Sequence, residues 1–419
     1  MPDSPLDVIV IGGGQAGLAM AWYLRRQGAR FLVLDAGSEI GHVWRSRWDS
    51  LVQFTAARYD ALPGLAFPAP DDTYPTKDEV ADYLRAYAGT FDLPVRLNTR
   101  VTRLSRGGAG FEIGTAGDTF HARQVVVATG PFQTPALPAP AARLDRAVTQ
   151  LHSSVYRSPR DLPDGPVLVV GGGNSGLQIA EELTATRRVD LSAGATPPVL
   201  PQRLLGKDLF WWLTRLGLMA KPADSWIGRR VRDRGELVIG TSRRTLRRAG
   251  VTFRPRLTGA DGTDVRFEDG STLQVGAVVW ATGFRSDYSW MAVGGVLADG
   301  RPVHRRGVTN VPGLYFLGLP WQHTRSSALL GFVKDDAAYL ADRIAAHART
   351  GQRPTGGPGA GADHRPGAGH GSDAGHRPDA DHRPGHHPGE TTGVTPLPQG
   401  PASQRRNHAS SPAGPGSQP

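Results

Sequence analysis

Leu6-Asp7-Val8-Ile9-Val10-Ile11, running into Gly12-Gly13-Gly14-Gln15-Ala16-Gly17, is the stretch on which the fold turns. Five of the first six residues are apolar, the pattern of a short strand buried on both faces. After Gly17 apolar residues recur at helical spacing as far as Gly28. The glycines between strand and helix have separate tasks. Gly12 permits the tight turn, Gly14 lets backbone approach a pyrophosphate, and Gly17 lets the helix pack on the strand. The helix start then offers free N–H groups and the positive end of its dipole to phosphate.

Glycine turns also arise for packing alone, but this one recurs. Pro166-Val167-Leu168-Val169-Val170 leads into Gly171-Gly172-Gly173-Asn174-Ser175-Gly176 and a helical pattern to about Arg187. Each unit continues into another strand, Phe31–Leu34 and Val189–Ser192, and each is echoed downstream by a strand ending in Ala-Thr-Gly, at Gly130 and Gly283. The repeat predicts an α/β chain with two Rossmann-like dinucleotide-binding domains. Asp35 stands at the end of the second strand, where a carboxylate accepts from a ribose 2′-hydroxyl. The matching position near Ser192 has no acid, which favours NADPH over NADH, since a carboxylate there would repel a 2′-phosphate. Arg187, Arg188, Arg203 and Lys207 are candidate phosphate partners, or solvated surface cations.

The chain has 419 residues, of which 39% are hydrophobic. Residues 351–419 hold 15 Gly and 12 Pro and are expected to be disordered, having too little apolar surface to offset chain entropy. Seven of the 13 histidines fall there, three of them, His364, His376 and His382, in His-Arg-Pro repeats, and the segment reads as a solvated tail. There is no cysteine, which excludes disulfides, thiolate metal sites and thiol redox chemistry; no metal site is expected. No apolar run is long enough to span a membrane, and a cytoplasmic protein is expected. The net charge of +10 resides mostly in residues 1–350 and fits either nucleic acid or an anionic cofactor. The arginine-rich run from Arg229 to Arg256 lacks the aromatic interleaving of a nucleic-acid surface and reads as a solvated face.

The paired glycine turns, the Ala-Thr-Gly strands and His152-Ser153-Ser154-Val155-Tyr156-Arg157 together resemble the flavin-containing monooxygenase family. Trp44-Arg45-Ser46-Arg47-Trp48-Asp49, Tyr74-Pro75-Thr76-Lys77 and Trp321-Gln322-His323-Thr324 place the resemblance in a bacterial branch labelled for K⁺ transport. It covers about residues 5–345. It implies FAD on Gly12, Gly14, Gln15, Ala16, Gly17, Asp35, Gly130 and Gly318, and NADPH on Gly171, Gly173, Asn174, Ser175, Gly176, Ser192 and Gly283. The implied FAD-binding domain is 1–155 with 285–348, and the inserted NADPH domain is 160–284. The implied reaction passes hydride from NADPH to flavin. Reduced flavin then meets O₂, and a C4a-hydroperoxide gives one oxygen atom to a small molecule. A reductase or oxidase without oxygen insertion, and a regulatory dinucleotide-binding protein, are the rival readings.

The chain departs from the pattern in three places, one of them Leu319 after Gly318, where related disulfide reductases carry Asp. Arg146 and Val148 stand where the fingerprint before the histidine has Phe and Gly, and Phe54 stands where many members carry Asn. Trp44, Arg45 and Arg47 read as a pyrophosphate clamp or as packing at the sheet edge. His152 either steers the nicotinamide or bonds backbone at a domain boundary. His323 precedes a helix expected to start near Ser326, whose N-terminus would face the flavin. Phe54, Thr55 and His323 are the candidate catalytic residues. Phe210-Trp211-Trp212-Leu213 through Met219 reads as a core stripe or a lid.

Overall fold

The computed structural model describes residues 5–351, apart from 109, 195–198 and 234–237. Two sheets organise it. The first runs, in spatial order, Met291–Ala292, Val101–Gly107, Gly110–Thr115, Thr119–Val127, Leu6–Ile11, Phe31–Leu34 and Val95–Arg96, with Leu314–Phe316 also paired to Thr119–Val127. Its glycine-turn strand lies parallel to Phe31–Leu34 on one side and Thr119–Val127 on the other. The second sheet is wholly parallel, in the order Thr252–Arg254, Val189–Ser192, Val167–Val170, Ala277–Trp280 and Thr149–His152. Parallel strands need both faces covered, and that is why Val8, Ile9, Val10, Val167, Leu168 and Val169 are essentially inaccessible to water.

The helices Gln15–Arg26 and Val333–Gly351 share one core with the first sheet, joining Leu18, Met20 and Leu24 to Ala337, Leu340 and Ile344. Each of the leucine, isoleucine and methionine side chains among these, fully buried, is worth about 1.5–3 kcal/mol relative to exposure. A capping box between Thr76 and Glu79 starts the helix Lys77–Thr90 on the same core.

The structure departs from two expectations and divides a third segment. Thr149–His152, inside the segment assigned to the first domain, is the edge strand of the second sheet, paired with Ala277–Trp280. No helix starts at Ser326: the hydroxyl of Ser327 captures the N–H groups of His323 and Thr324 in a turn, and the helix begins at Val333. The 210–219 stripe is divided, with Phe210 and Met219 buried while Leu216 and Leu218 face solvent. The expected tail beyond Gly351 lies outside the described residues.

Candidate cofactor and active site

The two glycine turns repeat atom for atom. Gly12 donates to the Leu34 carbonyl at 2.8 Å and Gly171 to that of Ser192 at 2.9 Å. Ala128 donates to Ile11 and Ala281 to Val170, both at 2.8 Å. A Cβ at Gly12 would strike the Ala128 carbonyl and one at Gly171 the Ala281 carbonyl, so the Ala-Thr-Gly segments press directly on the turns. A Cβ at Gly17 or Gly176 would likewise strike the carbonyl of Gly12 or Gly171. At Gly14 and Gly173 a Cβ would meet nothing within 4 Å. The turns are therefore closed where helix meets strand and open where a pyrophosphate needs backbone, which is the fit a dinucleotide requires.

Around the first turn, Asp35 accepts from Gly13 N at 2.5 Å and Gly37 N at 2.7 Å, one bond per carboxylate oxygen. Each oxygen retains a lone pair for a ribose hydroxyl. A Cβ on Gly318 would sit 2.8 Å from that of Ala16, so the end of the Leu314–Phe316 strand reaches the same turn. Trp44 Nε1 donates to Gln15 Oε1 at 3.4 Å. Gly130 has a left-handed backbone, and its carbonyl accepts from Gln133 Nε2 at 2.9 Å.

The two arginines expected as a clamp separate. Arg45 is bound to Asp82 at 2.6 Å, Asp78 at 3.1 Å and Glu39 at 3.8 Å, so its charge is already answered and it is a structural cation. Arg47 is buried, with its guanidinium 4.5 Å from the ring centre of Phe132 and 5.2 Å from that of Phe284. Those rings follow the first and second Ala-Thr-Gly segments, so Arg47 stands where the two halves meet. Burial, with Arg157 adding to it, pushes its guanidinium down to about 10, leaving it cationic at neutral pH without a carboxylate among the described residues. His152 closes the same junction. Its Nδ1 accepts from Ser154 N at 3.1 Å, which puts the proton on Nε2, 3.0 Å from the Gly283 carbonyl. Burial chiefly, and Arg47 next, hold it below the usual imidazole range, so it is a neutral tie between segments.

Other candidates fare unequally. Asn174 opens the second helix, and its Oδ1 accepts from Ile239 N at 3.0 Å; Ser175 is half-exposed beside it. Ser192 is buried and its hydroxyl proton is engaged by the Pro255 carbonyl at 2.7 Å. Arg187 is held by the carbonyls of Pro159, Leu162 and Pro163, and Arg203 by that of Asp72. Phe54 stacks on Phe210 with centroids 5.9 Å apart. Thr55 donates to Asp60 Oδ1 at 2.6 Å and is no free donor. Asp60 itself, missed by sequence reading because nothing local marks it, is fully inaccessible, and its Oδ2 has no partner among the described residues; burial pushes it up to about 7. His323 lines a cleft of about 1830 Å³ together with Phe284, Arg285, Arg301, Arg305 and Trp321.

A family model described as pyridine nucleotide-disulphide oxidoreductase matches residues 9–196. An uncharacterised CzcO-like oxidoreductase of Geobacillus kaustophilus is 46% identical over 82% of this chain and 99% of its own length. A flavin-containing monooxygenase from Stenotrophomonas maltophilia superposes with a TM-score of 0.69 at 29% identity, covering 82% of this chain and 99% of that one. The chain belongs to the flavin-containing monooxygenase family. This monooxygenase is an oxidoreductase whose cofactors are FAD and NADPH, and having no cysteine it does no disulfide chemistry through thiols of its own. An indole-3-pyruvate monooxygenase of rice is 29% identical over 74% of this chain and 86% of its own length. Among the described residues no helix is long and apolar enough to cross a membrane.

Proposed function

We propose that the first crevice holds FAD through Gly12, Gly14, Gln15, Ala16, Gly17, Asp35, Gly130, Gly318 and Arg47, and that the second holds NADPH through Gly171, Gly173, Asn174, Ser175, Gly176 and Gly283. The observation that carries the reading is the junction at Arg47, a buried cation between the rims of two open glycine turns. A phosphate there would offset the cost of burying that charge. Trp44 is a packing partner of Gln15. Bound FAD supplies the hydride acceptor and the activation of O₂. The balance is NADPH, a proton, O₂ and substrate to NADP⁺, water and oxygenated substrate.

This chain's own residues bind, orient and exclude water. The rings of Phe54, Phe210, Tyr59 and Phe332 form an apolar wall built from separate segments. The FAD domain in this reading is 1–155 with 285–348, less the edge strand Thr149–His152, and the NADPH domain is 160–284. A cytoplasmic location suits an NADPH-using protein without cysteine.

The substrate in this reading is a small organic carboxylate. The cleft beside Leu319–His323 carries Arg229, Arg232, Arg285, Arg301 and Arg305 against Asp224 and Asp299, a surplus of positive charge that favours an anion. The test compares an aromatic 2-oxo acid with its methyl ester. The acid is expected to raise NADPH oxidation and lower the share released as hydrogen peroxide, and the ester to do neither. Equal effects of acid and ester would overturn the carboxylate reading.

A further inference from the structure

The second crevice presents an arginine that no glycine motif marks. The strand Thr252–Arg254 lies parallel to Val189–Ser192, with Ser192 opposite Arg254. Two links hold the chain just beyond: the Ser192 hydroxyl donates to the Pro255 carbonyl at 2.7 Å, and Ala193 N to that of Arg254 at 3.3 Å. They deliver Arg256 to the end of the Val189–Ser192 strand. There its guanidinium lies flat on Gly194, so that a Cβ on that glycine would be 2.7 Å from both Nε and Nη2. This is the place, just past the second strand, where dinucleotide folds read the adenosine ribose.

The neighbouring cations are otherwise occupied. Arg254 is paired with the buried Asp190 at 2.7 Å. Arg243 and Arg247 lie over the Phe253 ring, at 4.4 and 5.3 Å. Arg256 is exposed, and among the described residues its guanidinium has neither an ion pair nor a hydrogen bond.

We propose that Arg256 is the specificity-determining residue that binds the 2′-phosphate of NADPH, with Gly194 leaving the room for its guanidinium and Ser192 positioning it through Pro255. A planar guanidinium suits bidentate phosphate contacts. The inference rests on the second crevice taking NADPH, and the experiment separates the two. Adenosine 2′,5′-bisphosphate and 5′-AMP are titrated calorimetrically into the FAD-loaded protein and into Arg256→Gln and Arg256→Lys, with each nucleotide's competition against NADPH as a second readout. The wild type is expected to prefer the bisphosphate. Arg256→Gln should lose about 10- to 100-fold in affinity for it and nothing for 5′-AMP, and Arg256→Lys should recover part of the loss. An unchanged preference in Arg256→Gln, or equal loss for both nucleotides, would overturn the role of Arg256. Failure of the bisphosphate to compete with NADPH in the wild type would overturn the reading of the crevice, and the inference with it.

Discussion

Single residues here are decided by what surrounds them. Arg45 and Arg47 are two positions apart, yet one is spent on three carboxylates and the other is buried against two rings. Asp60 shows how far burial can move a charge. Among the described residues its carboxyl has Thr55 as sole hydrogen-bond donor, and burial lifts it from 3.8 to about 7. The folded state thus holds that proton more tightly than the unfolded one. The resulting stability is complete below pH 4 and is lost as the pH rises through about 7, a span on the order of 4 kcal/mol. Asp60→Asn removes the titration. Thermal melts should show the variant gaining on the wild type by several degrees between pH 5 and pH 8. Parallel curves across that range would mean that Asp60 is ionised in the fold.

At the scale of an element, the strand–turn–helix unit separates glycines that fold the chain from those that leave room for a ligand. Gly17 lies against the Gly12 carbonyl, so Gly17→Ala must push helix Gln15–Arg26 off its strand. That should cost roughly 3 kcal/mol or more and appear as a lower melting temperature with poor expression. Gly14 has open space and an ordinary φ of −76°. Gly14→Val should therefore give a folded protein with far-ultraviolet dichroism unchanged and little or no bound FAD, read from the visible absorbance of the purified protein. Full flavin content in that variant would refute the first crevice as the FAD site.

At the scale of the whole molecule, the apolar wall joins distant parts of the chain: Phe54 from the first half, Phe210 from the segment after Val189–Ser192, and Phe332 just before the last helix. The wall is apolar and partly buried, but a phenyl ring donates no hydrogen bond. Much of the NADPH consumed by the wild type is therefore expected to appear as hydrogen peroxide. Phe54→Asn should lower that share about twofold or more at equal FAD content, measured as peroxide formed per NADPH oxidised. An unchanged ratio would show that position 54 does not govern coupling.

Much of the fold was legible in the sequence because it rests on local patterns. A buried strand, three glycines and a helix written twice needed only periodicity and backbone sterics, and the structure repeats their hydrogen bonds in both halves. The Ala-Thr-Gly echoes were visible too, though not their reason, the pressure of Ala128 and Ala281 carbonyls on the first glycine of each turn. The edge strand Thr149–His152, the burial of Ser192, the partners of Arg45 and the presence of Arg256 and Asp60 were decided by tertiary structure. Each depends on which segments, tens of residues apart, are brought into contact, and charge, burial and hydrogen bonding at such contacts are set by neighbours in space, which linear spacing does not encode.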